Sequence, residues 1–193
     1  MNIINNITNT LKDDLSVEIK KGSKISIAAA CFSIYAFQEL KKQLTSIDEL
    51  RFIFTSPTFT NEKAKKEKRE FYIPRLNRER SLYGTEFEIK LRNELTQRAI
   101  AKECADWIKK KVTFKSNISE KKIQGRIVVD KIGYTPINDF TTVELGCEQG
   151  DSIAKTIIKD ESLSEELLRS FNDIWNDKKI LQDVTDEVID NIT

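Results

Sequence analysis

Ile123-Gln124-Gly125-Arg126-Ile127-Val128-Val129-Asp130, with Phe140-Thr141-Thr142-Val143-Glu144-Leu145-Gly146 ten residues further on, decides how this chain is read. The first run is short and apolar and carries two polar residues two apart, Gln124 and Arg126. Residues two apart on a strand share a face. Gln124 and Arg126 are therefore expected to look out together beside the apolar Ile127, Val128 and Val129. A turn at Gly133-Tyr134-Thr135-Pro136 is expected next, and the second run reads as a neighbouring strand.

The rest of the chain supplies the frame for these strands. Its 193 residues suffice for one domain with a proper core, or one domain and an appended arm. An apolar share of 39% beside 33% charged residues describes a soluble globular protein, and no apolar run is long enough to span a bilayer. The first ten residues are rich in Asn and Thr, unlike a signal peptide. The three cysteines are widely spaced, which argues against a disulfide framework and for reduced thiols in a cytoplasmic protein. With no CxxC pair and no histidine, a zinc site is not expected.

Net charge is +1, but its distribution is uneven. From Asp151 onward eleven acidic residues face five basic ones, six negative net, so the remainder carries seven positive. Residues 62–80 concentrate that charge in Lys63, Lys65, Lys66, Lys68, Arg69, Arg75, Arg78 and Arg80 against four glutamates. Phe71, Tyr72 and Tyr83 interleave with them. A mixed Lys/Glu run is ordinarily a solvated surface. Rings among arginines also fit nucleic acid, because rings stack on bases while cations contact phosphates.

Along the chain, Ile3, Ile7, Leu11, Leu15 and Ile19 recur every fourth residue and predict an amphipathic helix over 3–19. Residues 25–32 are an uninterrupted apolar run, as expected of a strand buried on both faces. A helix over 34–44 and a strand over 50–54 complete a βαβ unit with parallel strands. Residues 55–85 are expected to form a long surface excursion. Periodicity returns over 86–111 as one or two helices, with Trp107 on the core side. A short strand at 112–114 and another at 152–158 follow. Ser162 and Glu165 form a capping-box pattern ahead of a helix whose Leu167, Leu168, Phe171, Ile174 and Trp175 make a core stripe. These elements give an α/β domain over 1–176. The acidic stretch 177–193, with Leu181, Val184 and Val188 at helical spacing, is either a helix packed on that domain or a linker toward a further one.

The two quoted runs resemble the core of the phospholipase D-like superfamily, whose motif is a histidine and a lysine two apart on an apolar strand ending in aspartate, then a Ser-rich strand. Gln124 stands in the histidine position and Arg126 in the lysine position. Asp130 falls one residue short of the aspartate position, which holds Lys131, and Thr141-Thr142 occupy the Ser-rich segment. The resemblance implies a mixed β-sheet flanked by helices on both faces. It also implies a degenerate site with no catalytic residue. The family's nucleophile must attack phosphorus and titrate near neutrality, which imidazole does and a glutamine amide does not. The sequence holds no histidine at all. Arg126 could still contact phosphate, with Gln124, Asp130, Thr141 and Thr142 around it. The same residues also read as the polar end of an ordinary strand.

Further runs are similar to the N-terminal accessory domain of bacterial DEAD/DEAH-box and Swi/Snf-type helicases: Ser33-Ile34-Tyr35-Ala36-Phe37-Gln38-Glu39-Leu40, residues 51–59, Tyr83-Gly84-Thr85-Glu86-Phe87-Glu88, Arg92-Asn93-Glu94-Leu95 and Phe171-Asn172-Asp173-Ile174-Trp175. The chain has no GxxxxGK[ST] and no DEAH-like run. The resemblance thus implies a module that binds nucleic acid, DNA ahead of RNA, for a helicase motor joined in cis, with no cofactor or metal of its own. Two alternatives stand beside it. One is a homodimerisation or protein-interaction module, since family active sites commonly combine two motif copies and this chain carries one. The other is a magnesium-dependent nuclease through Glu88-Ile89-Lys90, although no aspartate lies between Asp48 and Glu88 to complete that motif.

Overall fold

The structure is a computed structural model that describes residues 2–57, 86–148 and 155–193, with the backbone alone over 86–96. Its centre is the strand β2 (Lys24–Ala29), buried on both faces from Ile25 to Ala29. On one side β2 pairs in parallel with β3 (Glu49–Phe54), which pairs in parallel with β4 (Val112–Asn117). On the other side it pairs antiparallel with β5 (Arg126–Val129). With β1 (Asn2–Ile4), β6 (Ile132–Thr135), β7 (Ile157–Asp160) and β8 (Leu181–Asp183), the sheet runs β1-β7-β6-β5-β2-β3-β4-β8. The fold class is therefore mixed α/β, built on an eight-stranded mixed sheet, and the expected parallel βαβ start is present.

The two faces are covered differently. On one face Ile25, Ile27, Phe52, Phe114 and Ile127 meet the apolar sides of α1 (Leu11–Glu18), α2 (Ile34–Glu39), α3 (Lys41–Leu44), α4 (Glu86–Lys111) and α6 (Thr185–Ile192). Trp107 belongs to this core and donates its indole N–H to the Leu44 carbonyl at 2.8 Å. On the other face Ala28 and Ile53 pack with Phe171 of α5 (Ser164–Trp175). Gly133 lies beneath that helix, where a Cβ would come within 2.8 Å of Leu167 and 3.3 Å of the Ser164 Cα. No described helix is long and apolar enough to cross a membrane. Cys31 and Cys104 are buried and Cys147 is exposed, all three as thiols.

Several expectations are corrected. Residues 3–19 are not one helix, because Asn5 intercepts it. Its Oδ1 accepts the backbone N–H of Ile7 and Thr8 at 2.8 and 2.9 Å, an alternative that asparagine offers to helical bonding. Thr10 then caps α1 through the Asp13 N–H, while Ile3 and Ile7 stay exposed. The helix expected over 34–44 breaks at Leu40 into α2 and α3. The hairpin turn falls at Asp130-Lys131, with Asp130 at φ 51°, a left-handed conformation that aspartate tolerates. Gly133-Tyr134-Thr135 is strand. Residues 140–146 form no strand beyond a single bridge from Phe140 to Phe32 and continue as turns. The capping box is absent: Ser162 donates its hydroxyl to Asp160, and α5 starts two residues later without a side-chain cap.

The stretch 177–193 belongs to this sheet. β8 pairs antiparallel with β4, and Leu181, Val184 and Val188 are buried. Burying each such side chain contributes roughly 1.5–3 kcal/mol, a large part of an ordinary domain's stability of about 5–15 kcal/mol. A chain ending at residue 176 is expected to lose its cooperative thermal transition by circular dichroism. A transition within a few degrees of the full chain's would refute this packing.

The β6–β7 pair carries a pH-dependent contact with α1. Tyr134 is fully buried and donates to Asp14 at 2.5 Å, and Lys159 bridges Asp14 and Glu18 at 3.0 Å each. Burial, then the Asp14 hydrogen bond, pushes the Tyr134 hydroxyl above its ordinary value. Burial pulls Lys159 down, but its bonds to Asp14 and Glu18 outweigh this and leave it raised. Both folded values exceed the unfolded ones, about 10 for each group. Their contribution is complete below pH ~10 and lost as pH rises above it. Urea unfolding from pH 8 to 11 should show stability falling above pH 10, more gently in Tyr134→Phe. Identical slopes in both proteins would contradict this account.

Candidate nucleic-acid interface

The parallel strands β2, β3 and β4 end together, and one buried amide organises the loops beyond their ends. Asn117, at the end of β4, donates its Nδ2 to the Thr55 carbonyl at 2.9 Å and to the Lys121 carbonyl at 2.7 Å. Its Oδ1 accepts the Ser119 N–H at 2.9 Å and hydroxyl at 2.7 Å. The Thr55 carbonyl also receives the Ile123 N–H at 3.3 Å. The end of β4 and the chain entering β5 are thus fastened to the same oxygen, on the chain leaving β3. Lys121, Lys122 and Gln124 stand exposed on this edge. Gly125 comes next because nothing larger fits, since a Cβ there would lie 1.6 Å from the Ile137 carbonyl oxygen.

Gln124 and Arg126 do not look out together. Gln124 precedes β5 and is exposed, whereas Arg126 is 6% exposed beneath α5. The Arg126 Nε donates back to the Gln124 carbonyl at 3.2 Å. Its Nη1 donates to the Leu167 carbonyl at 3.3 Å and to the Ser170 hydroxyl. Burial lowers the guanidinium from its ordinary value, and no described carboxylate lies within ion-pair distance.

Two more cations hold the same helix. Arg51 lies 4.9 Å over the Phe171 ring and 5.6 Å from the Trp175 ring, and donates to the Ser26 hydroxyl at 2.9 Å. Lys115 sits 4.4 Å over the Trp175 ring and donates to the Trp175 carbonyl at 3.0 Å. Ring faces and the carbonyl end of a helix carry partial negative charge, so they attract cations without a carboxylate. From Gly133 under Leu167 to Lys115 under Trp175, α5 crosses β6, β5, β2, β3 and β4. Twelve helical residues span ~18 Å, and four strand spacings come to ~19 Å. The helix is as long as the strip it covers.

The other motif positions have structural duties. Asp130 lies at the far end of β5 from Gln124. Its carboxylate accepts the Ser23 hydroxyl at 2.7 Å and the Lys24 N–H at 2.9 Å, which stabilises the hairpin turn. Thr141 and Thr142 are buried, and the Thr141 hydroxyl oxygen accepts the Glu144 N–H at 3.2 Å. Glu144 in turn accepts the Asn138 N–H at 2.8 Å and pairs with Lys155. The basic and aromatic residues of 62–80, and Tyr83, lie outside the described residues. Glu88 and Lys90 fall in helix α4, where positions two apart are about 200° apart around the axis rather than on one face.

Lys121 and Lys122 were not among the residues expected from sequence to bind. The available signal was Ser119-Glu120-Lys121-Lys122 between two strand patterns, a polar turn placed immediately before the strand of interest. What sequence could not supply was the neighbour, because Thr55 is 66 positions away from Lys121.

If Arg126 serves α5 rather than a ligand, Arg126→Met should lower stability by about 1.5–3 kcal/mol through its lost charge-assisted hydrogen bonds and leave nucleic-acid affinity within twofold. Urea unfolding and fluorescence anisotropy would measure the two. Unchanged stability with affinity lost would make Arg126 a ligand contact.

Comparison with known proteins returns neither a matching family model nor a matching curated protein.

Proposed function

We propose that this chain is a non-catalytic nucleic-acid-binding module that presents the carboxyl edge of its parallel strands to a phosphate backbone, as an accessory to an ATP-dependent helicase motor. One observation carries the reading. The Thr55 carbonyl joins the exposed Lys121-Lys122-Gln124 loop to the chain leaving β3, seven positions in sequence before the basic, aromatic run at 62–80 begins. In α/β sheets, ligands bind outside the carboxyl ends of strands. Lysines there displace condensed counterions from a nucleic acid, which supplies affinity without base contacts. The absence of histidine leaves the phospholipase D type of phosphoryl transfer without its nucleophile. The helicase setting, and DNA ahead of RNA, rest on the sequence runs that resemble helicase accessory domains. A phospholipase D-like origin of the fold rests on the strand of Gln124 and Arg126.

Homodimerisation is the second reading and has less support. β1 and β8, which end the sheet, are three residues each, and the Ile3 carbonyl is already taken by the Asn9 side chain at 2.8 Å. Short, occupied edges disfavour pairing with another sheet.

Binding of labelled single- and double-stranded DNA and RNA across a salt series tests the proposal. The expected result is a Kd on the order of 10⁻⁶–10⁻⁴ M that weakens steeply with salt, with DNA ahead of RNA and binding lost in Arg75→Glu/Arg78→Glu. No binding at low salt would overturn it and turn attention to the mass of the protein in solution.

A further inference from the structure

The acidic stretch at the end of the chain holds two lysines that the fold carries to the other side of the charge divide. β8 pairs with β4 in the register Asn117↔Leu181, and one step further the Ile118 N–H donates to the Ile180 carbonyl at 2.8 Å. The loop before β8 therefore lies against the loop after β4, one strand spacing away. Each loop is shaped by a side chain folded back on its own backbone. Asn117 accepts from Ser119, and the Asp177 Oδ1 accepts the Lys179 N–H at 2.9 Å. Lys121 and Lys122 are exposed on one loop, Lys178 and Lys179 on the other. None of the four has an ion pair among the described residues. Of the nearest acids, Asp177 is turned onto the Lys179 backbone N–H and Glu120 is the one exposed carboxylate within the two loops.

We infer that Lys121, Lys122, Lys178 and Lys179 form one composite phosphate-backbone contact, built from segments more than fifty residues apart. The inference rests on the nucleic-acid reading and names which described residues would carry it. Four ammonium groups on two adjoining loops make a compact positive surface. Lysine contributes there as a point charge on a flexible stem, which suits a backbone contact without base specificity. The lysines belong to loops fastened by buried or backbone bonds, so binding orders side chains rather than main chain.

The experiment compares salt dependence of single-stranded DNA binding in the full chain and in three variants: Lys121→Gln/Lys122→Gln, Lys178→Gln/Lys179→Gln, and the control Lys109→Gln/Lys110→Gln. The control pair is exposed at the opposite end of β4 and makes the same change in net charge. Each lysine that contacts a phosphate adds about 0.7 to the slope of log K against log salt. Each patch pair should therefore lower the slope by about 1.4, and the control should leave it unchanged. Lysine acylation read by mass spectrometry gives a second readout, in which DNA protects the four patch amines and not Lys109 or Lys110. Equal effects of patch and control pairs, or a Lys178/Lys179 pair without effect while the parent chain binds, would overturn the inference and leave the broader reading standing. A parent chain that binds no DNA at low salt would overturn both.

Discussion

Burial of β2 on both faces is the constraint from which the architecture derives. Its side chains alternate between Ile25, Ile27 and Ala29 on one face and Ser26 and Ala28 on the other. The first set continues into Phe52, Phe114 and Ile127 and requires a thick apolar cover, which α1, α2, α3, α4 and α6 supply. The second is small and partly polar and has little apolar area to offer. Among the described residues one helix, α5, covers it, held by Arg126 at Leu167 and Ser170 and by Arg51 and Lys115 toward Trp175. Carbonyls, two serine hydroxyls and aromatic rings stand where carboxylates would more often be found. A buried cation such as Arg126, with no described carboxylate within ion-pair distance, is costly unless such groups replace water. Close packing at Gly133 and the ring contacts of Phe171 and Trp175 complete the cover.

The parts of the fold legible in the sequence are those with a single physical cause. The runs at 25–32 and 50–54 could bury two faces only as inner strands, and a short link between them forces a parallel pair. The helix over 86–111 and the core placement of Trp107 result from helical phase. Legibility failed where side chains compete with the backbone. Ile3 and Ile7 keep helical spacing, yet Asn5 takes the N–H groups that a helix would use. Thr141-Thr142-Val143 has β-branched residues, but the Thr141 hydroxyl and the Glu144 carboxylate bond within the loop instead of leaving the segment to a ladder.

The candidate site was half legible for a different reason. Sequence identified the strand of Gln124, but the tie between its loop and the chain leaving β3 at Thr55 depends on a buried asparagine 62 residues further along. Summed charge was misleading at the end of the chain. The net negative stretch from Asp151 hides Lys178 and Lys179, which β8 delivers to the carboxyl edge. Arg126 was expected beside Gln124 because both were assigned to one strand. In fact Gln124 precedes the strand, and the two side chains part company at its first residue.

The positions of β1 and β8 bear on how the protein is made. β1, from residues 2–4, pairs with residues 157–159, and β4 gains its outer neighbour only from residues 181–183. At ribosomal rates of about 5–20 residues per second, the first strand emerges roughly 8–30 s before its partner. During that interval the parallel β2–β3 unit can form locally, while both flanks of the growing sheet stay open. Nascent chains of this protein should therefore depend on chaperone protection until residues 157–183 have emerged and closed both flanks of the sheet.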